Sequence, residues 1–163
     1  MKIKSLVVST GLLMATIAAS KAVADVVLET ASLKLTIAAD GTLVSLTSRP
    51  SGTEYAWTAD PGPVAAVTCA GKSFPVSHVT LEGDKLLARF DKANVTATYE
   101  VVRREGYLVL RLLSLEGRSV DSIVLLQLRV KRLPYLGSWI DVAWDDDFGI
   151  CLCAGDIKAP RKI

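Results

Sequence analysis

Three consecutive aspartates, Asp145-Asp146-Asp147, stand directly behind Trp144 and form the densest group of acidic side chains in the sequence. Hydrolysis of a glycosidic bond needs two carboxyl groups about 5 to 9.5 Å apart, one of them kept protonated by its surroundings. Adjacent residues of a turn point in different directions into water, so nothing raises one carboxyl above the others. Hard oxygens in a turn also suit Ca2+, but the alternate-position ligand pattern that closes on a glutamate is absent. The spacing therefore predicts a solvated hairpin turn, for which aspartate is a favoured residue. It assigns no catalytic residue and no metal ligand.

The aromatic residues offer a different chemistry. A pyranose ring has an apolar C–H face that packs on an aromatic plane, while its hydroxyls pair with carboxylates or amides. Trp57, Trp139 and Trp144, with Tyr55 and Tyr135, are the side chains suited to that contact, and Trp144 next to Asp145 places plane and carboxylate side by side in sequence. Tyr135, Trp139, Trp144 and Asp145 are thus the candidate carbohydrate-binding residues, with a polysaccharide or oligosaccharide as the ligand. Core filling competes with this role, because large aromatics are mostly buried and bond their polar edges.

Other chemistries find little support. The single histidine, His78, and three cysteines, Cys69, Cys151 and Cys153, do not make the usual four-ligand zinc spacing. Cys151 and Cys153 flank Leu152 on one strand face and are poorly placed to bridge each other, which leaves a Cys69 disulfide to either one, or buried thiols, as the alternatives. No nucleophile elbow, zincin, P-loop or dinucleotide motif occurs, and no cofactor is implied. Asn94-Val95-Thr96 matches a glycosylation acceptor and is read as coincidence.

Lys2 and Lys4 precede an apolar run over residues 6–19, and Ala22-Val23-Ala24 precedes Asp25. This is the pattern of a signal peptide over residues 1–24, with a run shorter than the roughly 20 residues needed to span a bilayer. Secretion or periplasmic export is expected, with no membrane association after cleavage. Loss of Lys2, Lys4 and Lys21 removes three of the 19 basic residues and none of the 17 acids, leaving a formal charge of −1. The apparent basicity belongs to the leader, so no electrostatic footprint for nucleic acid remains.

Positioning of these residues falls to strands. Leu33, Leu35 and Ile37 alternate with polar neighbours, Asp40-Gly41 reverses the chain, Leu43 to Leu46 returns, and Ser51-Gly52-Thr53-Glu54 turns again. Val95, Ala97, Tyr99 and Val101 alternate over 94–102, and Leu108, Leu110 and Leu112 answer over 107–113. Residues 64–69, 79–81, 85–90 and 123–130 read as further strands, the last with Val124, Leu126, Leu128 and Val130 on one face. Residues 139–144 pair with 148–153 across the aspartates, after a break at 134–137. No window holds a helical period for ten residues, and the eight-to-twelve-residue spacing leaves no room for βαβ crossovers. The expected fold is an all-β antiparallel β-sandwich over 25–154, followed by an irregular tail, 155–163. Leu33, Leu35, Ile37, Val95, Ala97, Tyr99, Leu110, Leu126 and Leu128 are expected in the core.

The hairpin over 33–54, with its Asp-Gly turn, Ser45-Leu46 return and Gly52-x-Glu54, resembles the opening hairpin of galactose mutarotase-like β-sandwich domains. Such domains stand at the N-terminus of many large secreted glycoside hydrolases. The resemblance extends in strand order over about 27–154 and implies a partial mutarotase-like supersandwich: an accessory domain that binds carbohydrate or packs against a downstream catalytic domain. It also implies that the last strand, over 148–153, is an edge awaiting a neighbour. Mutarotase chemistry itself is disfavoured, since that family moves protons with two histidines and a carboxylate and only His78 is present. A free-standing extracellular or periplasmic polysaccharide-binding protein is the alternative. Cleavage between Ala24 and Asp25 is expected, and intact mass of the exported protein measures it; a mature chain retaining Met1 contradicts the leader.

Overall fold

The structure, a computed structural model, describes residues 24–137 and 142–151. Val26–Glu29 (β1), Leu33–Ile37 (β2) and Leu43–Ser48 (β3) pair antiparallel in that order, with Leu28 opposite Leu35 and Leu35 opposite Leu46. The reversal between β2 and β3 is made by the expected residues. Gly41 takes φ of +83°, while the Asp40 carboxylate accepts the Thr42 N–H at 2.9 Å and the Thr42 hydroxyl. These two bonds hold the Asp40 carboxyl below the ordinary carboxylate range.

The second turn is closed by Glu54. Its Oε1 accepts the N–H groups of Leu46 at 2.8 Å and Ala56 at 2.7 Å, and its Oε2 accepts the hydroxyls of Ser45 and Thr47. Burial pushes this carboxyl up, but the Ser45 hydroxyl and the two N–H groups outweigh it and hold the group below its usual value. Segment 54–57 thereby becomes a further extended piece beside β3: Thr47 lies opposite Glu54, and the Tyr55 N–H donates to Leu46 O at 2.7 Å.

Ala66–Cys69 (β4) and Lys72–Pro75 (β5) form a hairpin, and His78–Glu82 (β6), Lys85–Phe90 (β7), Val95–Arg103 (β8) and Leu108–Gly117 (β9) form a four-stranded antiparallel sheet in sequence order. Ser122–Val124 (β10) pairs with β4. Tyr135–Leu136 (β11), Val142–Trp144 (β12) and Gly149–Cys151 (β13) make a small separate sheet. The described chain is thus all-β and antiparallel, the class its period-two alternation predicts; a 3-10 turn, Asp91–Ala93, is the one helical element among the described residues.

One apolar cluster draws on most of these strands. Val95, Ala97, Tyr99 and Val101 of β8 are each at most 2% exposed and meet Leu28, Ile37, Leu46, Val67 and Phe90 in a single core. Complete burial of an aliphatic or aromatic side chain contributes about 1.5–3 kcal/mol, so these positions dominate stability. Of the nine expected core residues, Leu35, Ile37, Val95, Ala97 and Tyr99 are buried, while Leu33, Leu110, Leu126 and Leu128 are half-buried against the core. Cys69 is a buried free thiol, the small-hydrophobe role.

Two strands depart from the sequence expectation. Residues 123–130 do not form one strand: Ile123 lies opposite Val67, but the Gln127 N–H donates to Val64 O, the Trp57 N–H to Arg129 O, and Val130 lies opposite Ala56. The segment changes partners midway, and its inner face slips by one residue, leaving Val124 43% exposed while Leu126 and Leu128 turn inward. Likewise, β9 runs on to Gly117 because a bulge after Leu112 admits an extra residue, so that Tyr99 faces Leu112 and Thr98 faces Ser114. Among the described residues the longer uncovered edge is therefore β9; β13 keeps Ile150 packed on the core, and residues 152 and 153 lie outside the described residues, as do Trp139, the expected tail over 155–163 and residues 1–23 of the expected 1–24 leader. Sequence reasoning missed β1, β5 and β11, which are two to four residues long, too short to show a period.

A Cβ on Gly41 would stand 2.3 Å from Val76 Cγ1, whereas one on Gly52, also at positive φ, meets nothing within 4 Å. Gly41→Ala is accordingly expected to cost about 2–4 kcal/mol, from left-handed strain plus overpacking, and Gly52→Ala only about 1 kcal/mol. Urea unfolding of the two variants measures the difference, and equal losses would contradict the Val76 contact.

Candidate functional site

Alternation in the small sheet sorts its residues by face. Ala143 lies opposite Ile150, and both pack on the core. Trp144, one residue on, must point the other way, and across the three strands it stands in a row with Tyr135 on β11 and Gly149 on β13. The Tyr135 and Trp144 rings stack with centroids 5.8 Å apart and planes at 29°, and they remain 48% and 39% exposed. Gly149 completes the row without a side chain, in a conformation any residue adopts: a Cβ there would make only ordinary contact with Trp144 at 3.5 Å. One flank of the indole is thus open, and the other is braced by a phenol.

A two- or three-stranded ribbon this short is marginal by itself. What docks it is Tyr55, 4% exposed, from the segment that Glu54 holds against β3. The Tyr55 ring stacks on Phe148, centroids 4.6 Å apart, and its hydroxyl donates to Asp145 Oδ2 at 2.9 Å. Asp145 Oδ1 in turn accepts the N–H groups of Asp147 at 2.9 Å and Phe148 at 2.8 Å, closing the turn between β12 and β13. The Asp147 N–H is the leading reason that the Asp145 carboxyl lies below its usual value; burial opposes it, and the Tyr55 hydroxyl and Phe148 N–H reinforce it. The Tyr55 hydroxyl is pushed up, first by burial and then by the neighbouring carboxylate.

The sequence candidates are therefore divided. Tyr135 and Trp144 come together as an exposed aromatic row. Asp145 holds the turn and points to Tyr55, while Asp146 and Asp147 are exposed beside it. Trp139 lies outside the described residues. Tyr55 belongs to the core side, and Trp57, 48% exposed, sits at the far end of its segment. Gly149 was not singled out by sequence reasoning; its register opposite a tryptophan is visible only once the hairpin is paired.

Other polar clusters make no reaction centre. His78 Nδ1 lies 3.0 Å from Asp91 Oδ2, and Asp91 Oδ1 pairs with Arg89 at 2.8 Å. Ser77 is adjacent, but its hydroxyl donates to Arg89 O and accepts the Asp91 N–H, so serine, histidine and aspartate do not form a relay. A surface depression of about 420 Å³ at Asp84, Glu100, Val101, Val102 and Arg103 holds the Arg103–Asp84 ion pair and no nucleophile. Among the described residues no three His, Cys, Asp or Glu side chains converge as metal ligands. Comparison with protein-family models, curated proteins and solved structures finds no match to this chain.

The Tyr55–Asp145 bond sets a pH window for the hairpin. With its pKa lowered in the folded state, Asp145 contributes stability that is fully present above 3.8 and is lost as pH falls through the depressed value. With its pKa raised, Tyr55 contributes stability present below 10.0 and lost as pH rises through the elevated value. Amide protection over 142–151, relative to the intrinsic exchange rate at each pH, is expected to fall in acid before that of the β8 amides, and Asp145→Ala is expected to lower it at neutral pH. Uniform exchange across both regions would show that the bond does not dock the hairpin.

Proposed function

We propose that this chain is a carbohydrate-binding β-sandwich domain of a secreted or periplasmic carbohydrate-active enzyme, an accessory module akin to the galactose mutarotase-like N-terminal domain of glycoside hydrolases. Its ligand is a polysaccharide or oligosaccharide, its partner a catalytic domain that supplies the hydrolytic carboxylates. The observation that carries the reading is the Tyr135–Trp144 stack, half-exposed, in register on one face, with Gly149 leaving the indole flank open.

An aromatic plane held rigid before the ligand arrives binds without the entropic cost of ordering it. Here Tyr55 and Asp145 supply the rigidity, and the exposed Asp146 and Asp147 are acceptors for sugar hydroxyls at the rim. Asp145 acts as a positioning residue. The leader pattern supports export, and the hairpin over 33–54 supports the kinship. A free-standing polysaccharide-binding protein would use the same row, and binding by the chain is expected of both readings; dependence of hydrolysis by a downstream catalytic domain on this row is expected of the first reading alone.

Affinity electrophoresis through gels carrying neutral polysaccharides tests the proposal. Retardation by at least one polysaccharide is expected, with Trp144→Ala weakening it about tenfold, the equivalent of about 1.4 kcal/mol. Gly149→Leu should weaken it as well, by filling the open flank while keeping both rings. Retardation unchanged in both variants would remove the row from the site.

A further inference from the structure

Among the described residues β9 is the longest strand, ten residues, and only one of its edges is paired. Among the described residues no strand lies beyond it. Natural sheets guard such edges with brevity, proline, charges or bulges; β9 reads LVLRLLSLEG, is ten residues long without lysine or proline, and carries two charges and one bulge. Its inner face is apolar throughout, and its outer face mixes Val109 with Arg111, Ser114 and Glu116. Leu108, Leu110 and Leu112 are only half-buried on the inner side and Leu115, on the same side, is 40% exposed, while Val109 on the outer face and Leu113 in the bulge are 36% and 50% exposed.

The charges on this edge suggest what covers it. Arg111 and Glu116 are the strand's two ionic residues, five positions apart. In a regular strand that odd spacing puts them on opposite faces. The bulge after Leu112 brings them onto one: Arg111 stands opposite Glu100, and Glu116 opposite Thr96, on the outer face of β8. Leu112 and Leu115, opposite Tyr99 and Ala97, share the inner face for the same reason. A second β9 laid antiparallel about a two-fold axis perpendicular to the sheet can therefore set Arg111 opposite Glu116 of the second copy, twice over. The same register sets Leu112 opposite Leu115 and Leu110 opposite Gly117, each pair on a matching face. Sliding the strands to oppose Arg111 with itself would place like charges together, which is destabilising.

We propose that β9 is a dimerisation edge, joining the four-stranded sheets of two copies of this chain into one continuous eight-stranded sheet with that register. The interface is isologous, as a two-fold contact requires. It lies on a different sheet from the aromatic row and does not depend on the function assigned to that row.

Sedimentation equilibrium of the purified chain tests this directly. Dimers are expected, with Glu116→Arg, which sets arginine opposite arginine at two symmetric places, weakening association about tenfold or more. Arg111 also pairs with Glu100 of β8 at 2.7 Å, so the triple variant E100R/R111E/E116R restores opposite charges both within the sheet and across the edge, and should recover association to within a few-fold. Leu113→Lys should also give monomers, a check should Glu116→Arg fail to fold by circular dichroism. Amide exchange over 108–117 should slow as protein concentration rises. A chain that stays monomeric at about 100 µM, or a dimer indifferent to Glu116→Arg and Leu113→Lys, would overturn the proposal.

Discussion

The aromatic row rests on one buried phenol from a different part of the chain, with Ala143 and Ile150 packed on the core beside it. Tyr55 meets the C-terminal hairpin through a ring on Phe148 and a hydroxyl on Asp145, and among the described residues no β ladder joins that hairpin to the main sheets. The force is transmitted backward through named bonds. Glu54 gathers Ser45, Leu46, Thr47 and Ala56 and so fixes the backbone on both sides of Tyr55. A carboxylate with this many donors stays ionised and stays in place, because each donor left without it would lose a charge-assisted bond. Glu54 fixes the backbone around Tyr55, and Tyr55 holds Asp145, the residue next to Trp144; a half-buried anion thus stands at the head of the contacts behind a surface ring.

That chain of dependence explains why adjacency in sequence was a poor guide to the site. Trp144 and Asp145 are neighbours, and the sequence reading gave them one task. In a strand, neighbours face opposite ways. Trp144 ends β12 pointing outward, and Asp145 begins the turn with its carboxylate occupied by two backbone N–H groups and a phenol. The tryptophan presents a surface and the aspartate makes it rigid. Position in the pairing, rather than proximity along the chain, separates contact from support.

The fold was legible where one face alone is buried. β8 alternates so cleanly, and is buried so completely at Val95, Ala97, Tyr99 and Val101, that period two could hardly be read otherwise. Asp40-Gly41 was equally plain, because few residue pairs supply both a left-handed residue and an acceptor for the next turn. Legibility ended where a strand serves two partners. Along 122–131 the inner face is set first by β4 and then by segment 54–57, and the slip between them answers to tertiary geometry that no local window contains. The Tyr135–Trp144 row was half visible: the residue types were named, but their pairing crosses Gly137, Val142 and a register that only the folded sheet defines.

Departures from local rule gather along the boundary between β8 and β9. Tyr99 is 1% exposed, yet its hydroxyl is the one buried side-chain polar atom without a partner among the described residues, and burial pushes that hydroxyl well above its usual value. A phenylalanine would fill the same space without the desolvation cost of an unpaired hydroxyl, which is about 1–3 kcal/mol. Opposite Tyr99 lies Leu112, where the bulge begins, and beyond Leu112 lies the uncovered edge. An unpaired polar atom, an inserted residue and a half-covered apolar face thus fall within a few positions of one another, while the sheet on the β6 side obeys every pattern. Sequences ordinarily agree with their folds at every level, and they break that agreement where something other than stability is being served. The irregular side of this sheet is the side that faces outward along its edge, and the bulge that disturbs it is the same feature that brings Arg111 and Glu116 onto one face.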